Sequence, residues 1–588
     1  MPNCQSYADI INHLGSDASN PHALNQCRED GSWQAISTEE FLDTVKMVAL
    51  GLCSMGLNRG DRIGIYAAPS PQWTIVDMAI ALAGGVIVPI LDAIADDNFA
   101  FEATHAKLKI IFVDGMEQWA MFQRYEPLFD LGIAIGNDYP EDKKIRALKV
   151  VIDAGKKLDD QKPELYSQLV SAIRPHDLGA IYYTSGSTGI PKGVELTQLN
   201  LVGGVEYADF DLDPKNDRFL SILPLAHVFG HCFSLWMLYR GVSLYYTHDY
   251  KRLVQICHEV RPTIMAVVPR LLEKTYIKMA EKIRQSNFIT KSIGRLALHC
   301  AHEQEPSFLE KMLIPFLDKL VYSKFRSSFG GKLRLFISGG APLSPRLQHF
   351  FYTIGIPAYQ GWGMTEACPL STTNPVNDKI GTVGKPLPGQ IIKIGDDGEI
   401  LAKGTLVMRG YYEEFDKTGG VIDSQGYLHT GDKGRLDDEG YLTIIGRLKE
   451  IYKTSKGEPI VPAPLEQALC RNPLIETALI VAEGYPYVTC LLFSNHEHLL
   501  QSKKEQKAEN QSDEEFVQSP FVRNEIDKLI ENINQHLNLP QQIHGYRFIL
   551  EPLTIKNGEL TPSMKIRRAV VVKKYAQLIE EMYNKELS

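Results

Sequence analysis

Short apolar runs alternate with stretches whose apolar positions repeat at helical spacing through the first two thirds of the chain. "DRIGIYA" (61–67) is followed by "QWTIVDMAIALA" (72–83) and then by "GVIVPI" (85–90). "AKLKIIFVD" (106–114) and "RPTIMAVVP" (261–269) share the β-rich texture of the first run. Strands that alternate with helices predict an α/β fold with largely parallel pairing. From Gly381 to Gly446 the texture changes to short strands separated by Gly and Asp turns, as in "IIKIGDDGEILAKGTLVMRGYY", which predicts a β-rich subdomain. Beyond "GRLKE" (446–450) come a compact segment of mixed α and β character and a polar stretch, "QSKKEQKAENQSDEEF" (501–516), which reads as a solvated helix or loop. The expected organisation is a large N-terminal domain, 1–446, and a small C-terminal domain, 447–588.

One run, "VDMAIALAGGVIVPILDAIA" (76–95), is long enough to span a bilayer. Asp77 and Asp92 lie within it, and Gly84, Gly85 and Pro89 break it. It therefore reads as a buried helix, a glycine turn and a short core strand. With 588 residues the chain exceeds a single core. Its net charge of −9 gives no support to nucleic-acid binding, which needs a basic face. The nine cysteines include no CxxC pair, which argues against a zinc ribbon or a disulfide framework and for a reducing cytosol. The opening "MPNCQSYADI" lacks the basic-then-apolar order of a signal peptide.

Candidate chemistry begins at "YYTSGSTGIPKG" (182–193). Thr184, Ser185, Gly186, Ser187, Thr188 and Gly189 alternate hydroxyls with glycines, and Lys192 adds a cation. Glycine lets backbone N–H groups turn inward, so this set suits a polyphosphate. A Ser/Gly linker would not need the apolar run Leu178–Tyr183 that leads into it. The spacing is not that of a GxxxxGK[ST] P-loop. In "YQGWGMTEACP" (359–369), Trp362 and Gly363 precede Thr365 and Glu366. An indole stacks on a base, and a carboxylate beside a hydroxyl suits Mg²⁺. A plain turn with one exposed acid is the alternative. "GYLHTGDKGRLDDEGYLTIIGR" (426–447) supplies Asp432, suited to a ribose diol, and Arg447, or else is an ordinary acidic hairpin. "NGELTPSMKIRR" (557–568) carries Lys565 among turn formers, where a surface lysine is the alternative. His227 and His231 stand four apart beside Cys232. That spacing leaves open a zinc site or one satisfied histidine plus one pocket-lining residue.

In this order the motifs resemble the adenylate-forming superfamily of acyl-CoA synthetases, peptide-synthetase adenylation domains and luciferases. The resemblance runs from "SWQAISTEEF" at residue 32 to "LTPSMKIRR". "GELTPSMKIRR", "LVYSKFRSSFGGKLRLFISGGAPLSP" (320–345), "LPLAHVF" (223–229) and "TSKGEPIVPAPLE" (454–466) are similar to the long-chain fatty acyl-CoA synthetases. Trp362 stands where many relatives carry Tyr, and His231 where some long-chain relatives place a tryptophan gate.

The resemblance implies activation of a long-chain fatty acid by ATP through acyl-AMP to acyl-CoA, with Mg²⁺ and with ATP and CoA as co-substrates. It casts Lys565, Glu366 and Thr184 as catalytic, the last two also as metal-binding. The loop 184–189 and Lys192 would hold phosphates. Gly340, Ala341, Pro342 and Trp362 would frame the adenine, Gly363 and Thr365 would also belong to the ATP site, and Asp432 and Arg447 would hold the ribose. His227 and His231 would line the acyl pocket. The C-terminal domain would be mobile, with Lys449 at the hinge and Gly457 on the face that serves the CoA step. A cytoplasmic location, with room for peripheral contact at the inner face of a membrane, is expected. The rival readings are a ligase that passes the acyl group to a carrier protein and a non-catalytic nucleotide-binding protein of the same fold.

Overall fold

The computed structural model describes residues 4–584 except 18, 29, 137–138, 140–142, 186–190, 206–209, 303–306, 374–378, 456–458, 556 and 562–565. Two compact units emerge. The first comprises Met1–Gly395, Ile400–Thr430 and Leu436–Thr443, and the second Asp396–Glu399, Gly431–Arg435 and Ile444–Ser588.

Two sheets dominate the first unit. In one, the strands Ser243–Tyr246, Arg218–Ser221, Ile264–Val267, Leu335–Ser338 and Ala358–Trp362 run parallel in that order. In the other, Pro191–Thr197 pairs antiparallel with Leu178–Ser185. The parallel strands Val86–Pro89, Arg62–Tyr66, Ile110–Val113, Leu131–Ala134 and Ile145–Ala147 continue from it. Ile110–Val113 and Ile264–Val267 are buried throughout, as strands covered on both faces must be.

The ambiguous run 76–95 resolves as expected. Ser70 caps helix Pro71–Leu82 by accepting from the Trp73 N–H, and Pro71 occupies its first turn. Gly84 turns the chain at φ +82° into strand Val86–Pro89. That helix and helix Val228–Tyr239 are buried almost all round. Their residues Met78 and Leu235 share one core with Ile63 and Ala180 of one sheet and Phe219 and Leu335 of the other. Among the described residues no helix is long and apolar enough to cross a membrane.

A four-stranded sheet follows the two large ones, in the order Gln390–Ile394, Glu399–Gly404, Leu428–Leu436 and Leu442–Arg447. The division between units passes through it. The second unit contains the sheet Ile475–Val481, Val488–Ser494 and Ile543–Ile549, covered by helices that include Pro462–Leu469 and Pro520–Asn534. The polar stretch 501–516 is more structured than its composition suggests. Lys503 is buried and donates to Asp513 at 2.7 Å, and Phe516 belongs to the core.

Candidate active site

The hydroxyl-rich loop is delivered by a hairpin. Thr184 pairs with Lys192 and Ser185 with Pro191 across antiparallel strands, which bring the two ends of the loop together. Gly186, Ser187, Thr188 and Gly189 lie outside the described residues. The short strand Gly410–Tyr411 pairs with Pro191–Thr197, and the Tyr412 N–H donates to the Gly193 carbonyl at 2.7 Å. This register sets the Tyr411 ring under the Lys192 ammonium, 4.8 Å from Nζ to the ring centre. Tyr411 in turn donates its O–H to Glu366 Oε1 at 3.0 Å. The Met408 N–H donates to the Glu366 carbonyl at 2.8 Å and fixes the short turn Thr365–Ala367. Tyr411 thus links the phosphate-loop cation to the candidate metal acid. Burial raises its phenol pKa, and the neighbouring Glu366 carboxylate raises it further, so the phenol stays protonated and acts as a donor.

Gly340–Pro342 follow strand Leu335–Ser338, and Trp362 ends the adjacent parallel strand, with Ser338 opposite Gln360. The carboxyl ends of parallel strands are where open α/β sheets hold ligands. Gly340 sits at φ +80°, a left-handed conformation that glycine adopts without strain. The loop is tied down by two amides. Gln360 Oε1 accepts from the Leu343 N–H at 2.9 Å, and Gln360 Nε2 donates to Gln348 Oε1 at 3.1 Å. Gly363 is required by crowding, because a Cβ there would lie 2.0 Å from the Pro369 carbonyl oxygen. Gly340, Ala341 and Pro342 are exposed, whereas the Trp362 side chain is largely covered at 7% exposure.

His227 is the N-cap residue of helix Val228–Tyr239 and is half-buried, and His231 lies one turn on. His231 is the satisfied histidine of the pair. Its ring is 1% exposed. Nε2 lies 2.9 Å from Asp77 Oδ2 and 3.2 Å from the Tyr7 hydroxyl, and Nδ1 meets the Tyr182 hydroxyl. A buried carboxylate at Nε2 selects the Nε2–H tautomer, so Nδ1 accepts from Tyr182. The expected acyl-lining role of His231 therefore meets a ring whose two nitrogens are taken up by protein groups. The ring instead pins Tyr182, two residues before Thr184. Among the described residues no group of three or more His, Cys, Asp or Glu is placed to hold a metal ion.

In the second unit Arg447 Nε lies 2.7 Å from Asp432 Oδ1, with the carboxylate buried and the guanidinium half-exposed. Lys449 is exposed in the turn Leu448–Glu450 that follows. Gly457 and Lys565 lie outside the described residues, but the flanks of Lys565 are held. Leu560 bridges Ile566, the Arg567 N–H donates to the Glu559 carbonyl at 2.8 Å, and Glu559 accepts from Lys574 at 2.8 Å. Both Arg568 Nη groups donate to the two Glu466 oxygens, which joins helix Arg568–Lys574 to helix Pro462–Leu469.

Residues 17–412 match the family model described as AMP-binding enzyme, and residues 450–587 match the AMP-binding enzyme C-terminal domain. The chain belongs to the AMP-binding enzyme family. A long-chain-fatty-acid–CoA ligase of Mycobacterium tuberculosis, FadD15, is 33% identical to this AMP-binding enzyme over 597 residues. The alignment covers 98% of this chain and 97% of the relative. The peroxisomal long chain acyl-CoA synthetase 7 of Arabidopsis thaliana is 28% identical, over 98% of this chain and 86% of its own. The fold is similar to that of the adenylation domain of a carboxylate reductase from Mycobacterium chelonae, with TM-score 0.74, 18% identity and coverage of 99% and 92% of the two chains. It is also similar to ATP-bound MatB from Rhodopseudomonas palustris, with TM-score 0.65, 20% identity and coverage of 97% and 99%.

Several functional candidates in this AMP-binding enzyme escaped sequence reasoning. Tyr411 lies in "RGYY", which carries no motif of its own. Gln348 and Gln360 are visible only as polar residues at otherwise apolar positions, the one signal that marks a buried amide.

Proposed function

We propose that this chain is a long-chain fatty acid–CoA ligase that forms acyl-AMP from ATP and transfers the acyl group to CoA, releasing AMP and pyrophosphate. The observation that carries this reading is the 33% identity to a long-chain-fatty-acid–CoA ligase over nearly the whole of both chains.

Oxide is a hopeless leaving group, so a carboxylate needs activation before it can acylate a thiol. One carboxylate oxygen attacks the α-phosphorus of ATP, the bond to the β-phosphate oxygen breaks, and pyrophosphate leaves. The CoA thiolate then attacks the acyl carbon and AMP departs. In the first step two anions approach each other, so the protein's task is alignment and charge neutralisation. Lys565 bridges the acid and the α-phosphate, while Thr184–Gly189 and Lys192 hold the departing pyrophosphate. The Glu366 carboxylate and the Thr184 hydroxyl are hard oxygen donors, the type that suits Mg²⁺ held jointly with phosphate oxygens. Mg²⁺ bound there would neutralise phosphate charge. Gly340–Pro342 and Trp362 frame the adenine, Asp432 and Arg447 the ribose, and His227 the acyl end. We assign 1–446 to the nucleotide and acyl sites and 447–588 to a mobile domain hinged at Lys449. That domain brings Lys565 for the first step and the face around Gly457 for the second. A reducing compartment such as the cytoplasm suits a chain whose nine cysteines include no CxxC pair.

A panel of acids with ATP, Mg²⁺ and CoA, read as thioester products, tests this reading. Each buried CH₂ adds up to about 0.8 kcal/mol in a suitable tunnel. Palmitate is therefore expected to exceed octanoate in kcat/KM by about tenfold or more, equivalent to at least about 1.4 kcal/mol. Acetate or an aryl acid outperforming palmitate would overturn the substrate class.

A further inference from the structure

Tyr182 and Tyr183 are adjacent on strand Leu178–Ser185, so their side chains leave it on opposite faces. Tyr182 belongs to the large core, and Tyr183 packs against a second one. Each phenol meets a histidine. The buried Tyr182 hydroxyl meets Nδ1 of His231, whose Nε2 lies 2.9 Å from Asp77 Oδ2. On the other face the half-buried Tyr183 hydroxyl lies 2.8 Å from Nδ1 of His105, the last residue of helix Asp96–His105.

Neither histidine stops at one arm of the hairpin. His105 also packs edge-on against the Tyr412 ring, 5.4 Å between centres. Tyr412 is bonded through its N–H to Gly193, the register partner of Tyr183. A Cβ on Gly193 would lie 3.2 Å from Tyr412 Cβ and 2.9 Å from Ile181 Cγ2, so the arms and Tyr412 are closely packed there. Phe101 stacks on the His105 ring at 5.2 Å and 15°, which fixes the ring plane. On the opposite face Tyr7 places its hydroxyl 3.2 Å from His231 Nε2 and donates its N–H to Gln198 Oε1 at 3.1 Å. Gln198 directly follows the second arm, Pro191–Thr197. Ladder hydrogen bonds already join the two arms, and side-chain contacts on both faces add resistance to sliding and tilting of the pair. Thr184 and Lys192 face each other one residue beyond Tyr183 and Gly193.

We propose that His105 and His231 are positioning residues for the triphosphate end of ATP. By holding Tyr183 and Tyr182 they fix Thr184 and Lys192 against the β- and γ-phosphates. This rests on the reading of Thr184 and Lys192 as phosphate ligands and needs no assignment of the acid.

Calorimetric titration of the full chain with ATP–Mg²⁺ and, separately, with AMP tests it. AMP lacks the two phosphates concerned. Acid and CoA are left out, so failure of the fatty-acid reading shows in the acid panel and not here. Tyr183→Phe should weaken ATP–Mg²⁺ binding by about fivefold and AMP binding by less than about twofold, the order of one lost hydrogen bond. His105→Ala should cost ATP–Mg²⁺ at least as much, with AMP again spared. The double variant should be no weaker than His105→Ala, because both substitutions remove one contact. His105→Asn, whose amide reaches the place of Nδ1, should restore most of the affinity. Tyr182→Phe should repeat the split from the buried face, and the half-buried Tyr183 and His105 sites decide the point if that variant does not fold. Equal weakening of ATP and AMP would reduce the contacts to a structural brace and overturn the proposal. So would unchanged ATP affinity in His105→Ala, or losses that multiply in the double variant.

Discussion

Lys565→Ala is expected to lower acid-dependent ATP–pyrophosphate exchange by about a thousandfold, while thiolysis of supplied acyl-AMP falls less than about tenfold. The asymmetry follows from charge. Adenylation requires a carboxylate to reach the α-phosphate of a polyanion, and a positioned ammonium between them stabilises the state in which negative charge is concentrated. Thiolysis meets an acyl-AMP whose carboxylate charge is already gone. The surroundings of the lysine are suited to precise placement, because the Leu560–Ile566 bridge and the buried Glu559 hold the chain on both sides of 562–565. The Arg568–Glu466 pair anchors the helix that follows. Alanine at 565 removes none of these contacts, so the folded unit should survive. Equal loss in both half-reactions would assign Lys565 a structural role and remove it from the chemistry.

Glu366→Gln is expected to reduce exchange by about a hundredfold and to raise the Mg²⁺ concentration needed for half-maximal rate. Glutamine keeps the shape and still accepts from Tyr411, so what is lost is the charge that favours the cation. Tyr411→Phe serves as the graded comparison. It removes the 3.0 Å hydrogen bond to Glu366 and leaves the ring beneath Lys192. One neutral donor to a charged acceptor is worth about 1.5 kcal/mol or more, so a drop of about tenfold is expected, with a smaller shift in Mg²⁺ dependence. Normal Mg²⁺ dependence in Glu366→Gln would show that the carboxylate does not hold the ion.

The alternation of strands and helices was legible because burial on both faces of a parallel strand leaves a continuous apolar run, as in Ile110–Val113 and Ile264–Val267. The candidate motifs stand out in the sequence because glycine, hydroxyl and charged side chains in dense local patterns have few other uses. Pairings across the fold do not. Glu366 and Tyr411 meet across 45 positions, and Asp77 meets His231 across 154. Asp77 counted in the sequence only as evidence against a membrane span. The spacing of His227 and His231 shows only that they share a helix face, and the contact of His231 with Asp77 comes from a different helix. The polar stretch 501–516 misled for a similar reason, since a charged composition does not reveal that Lys503 finds Asp513 and that Phe516 packs beneath.

Oxygen tracing tests the central claim most directly, that the chain activates a fatty acid as its acyl-AMP before transfer to CoA. Palmitate labelled with ¹⁸O in both carboxyl oxygens is supplied with ATP, Mg²⁺ and CoA, and the products are read by mass. Attack of one carboxylate oxygen on the α-phosphorus makes it the bridging atom of acyl-AMP, and thiol attack at the carbonyl carbon leaves it on AMP. The account predicts a single ¹⁸O in AMP, a single ¹⁸O in the thioester carbonyl and none in pyrophosphate. Label in orthophosphate together with ADP, or thioester formed with no label in AMP, would contradict it.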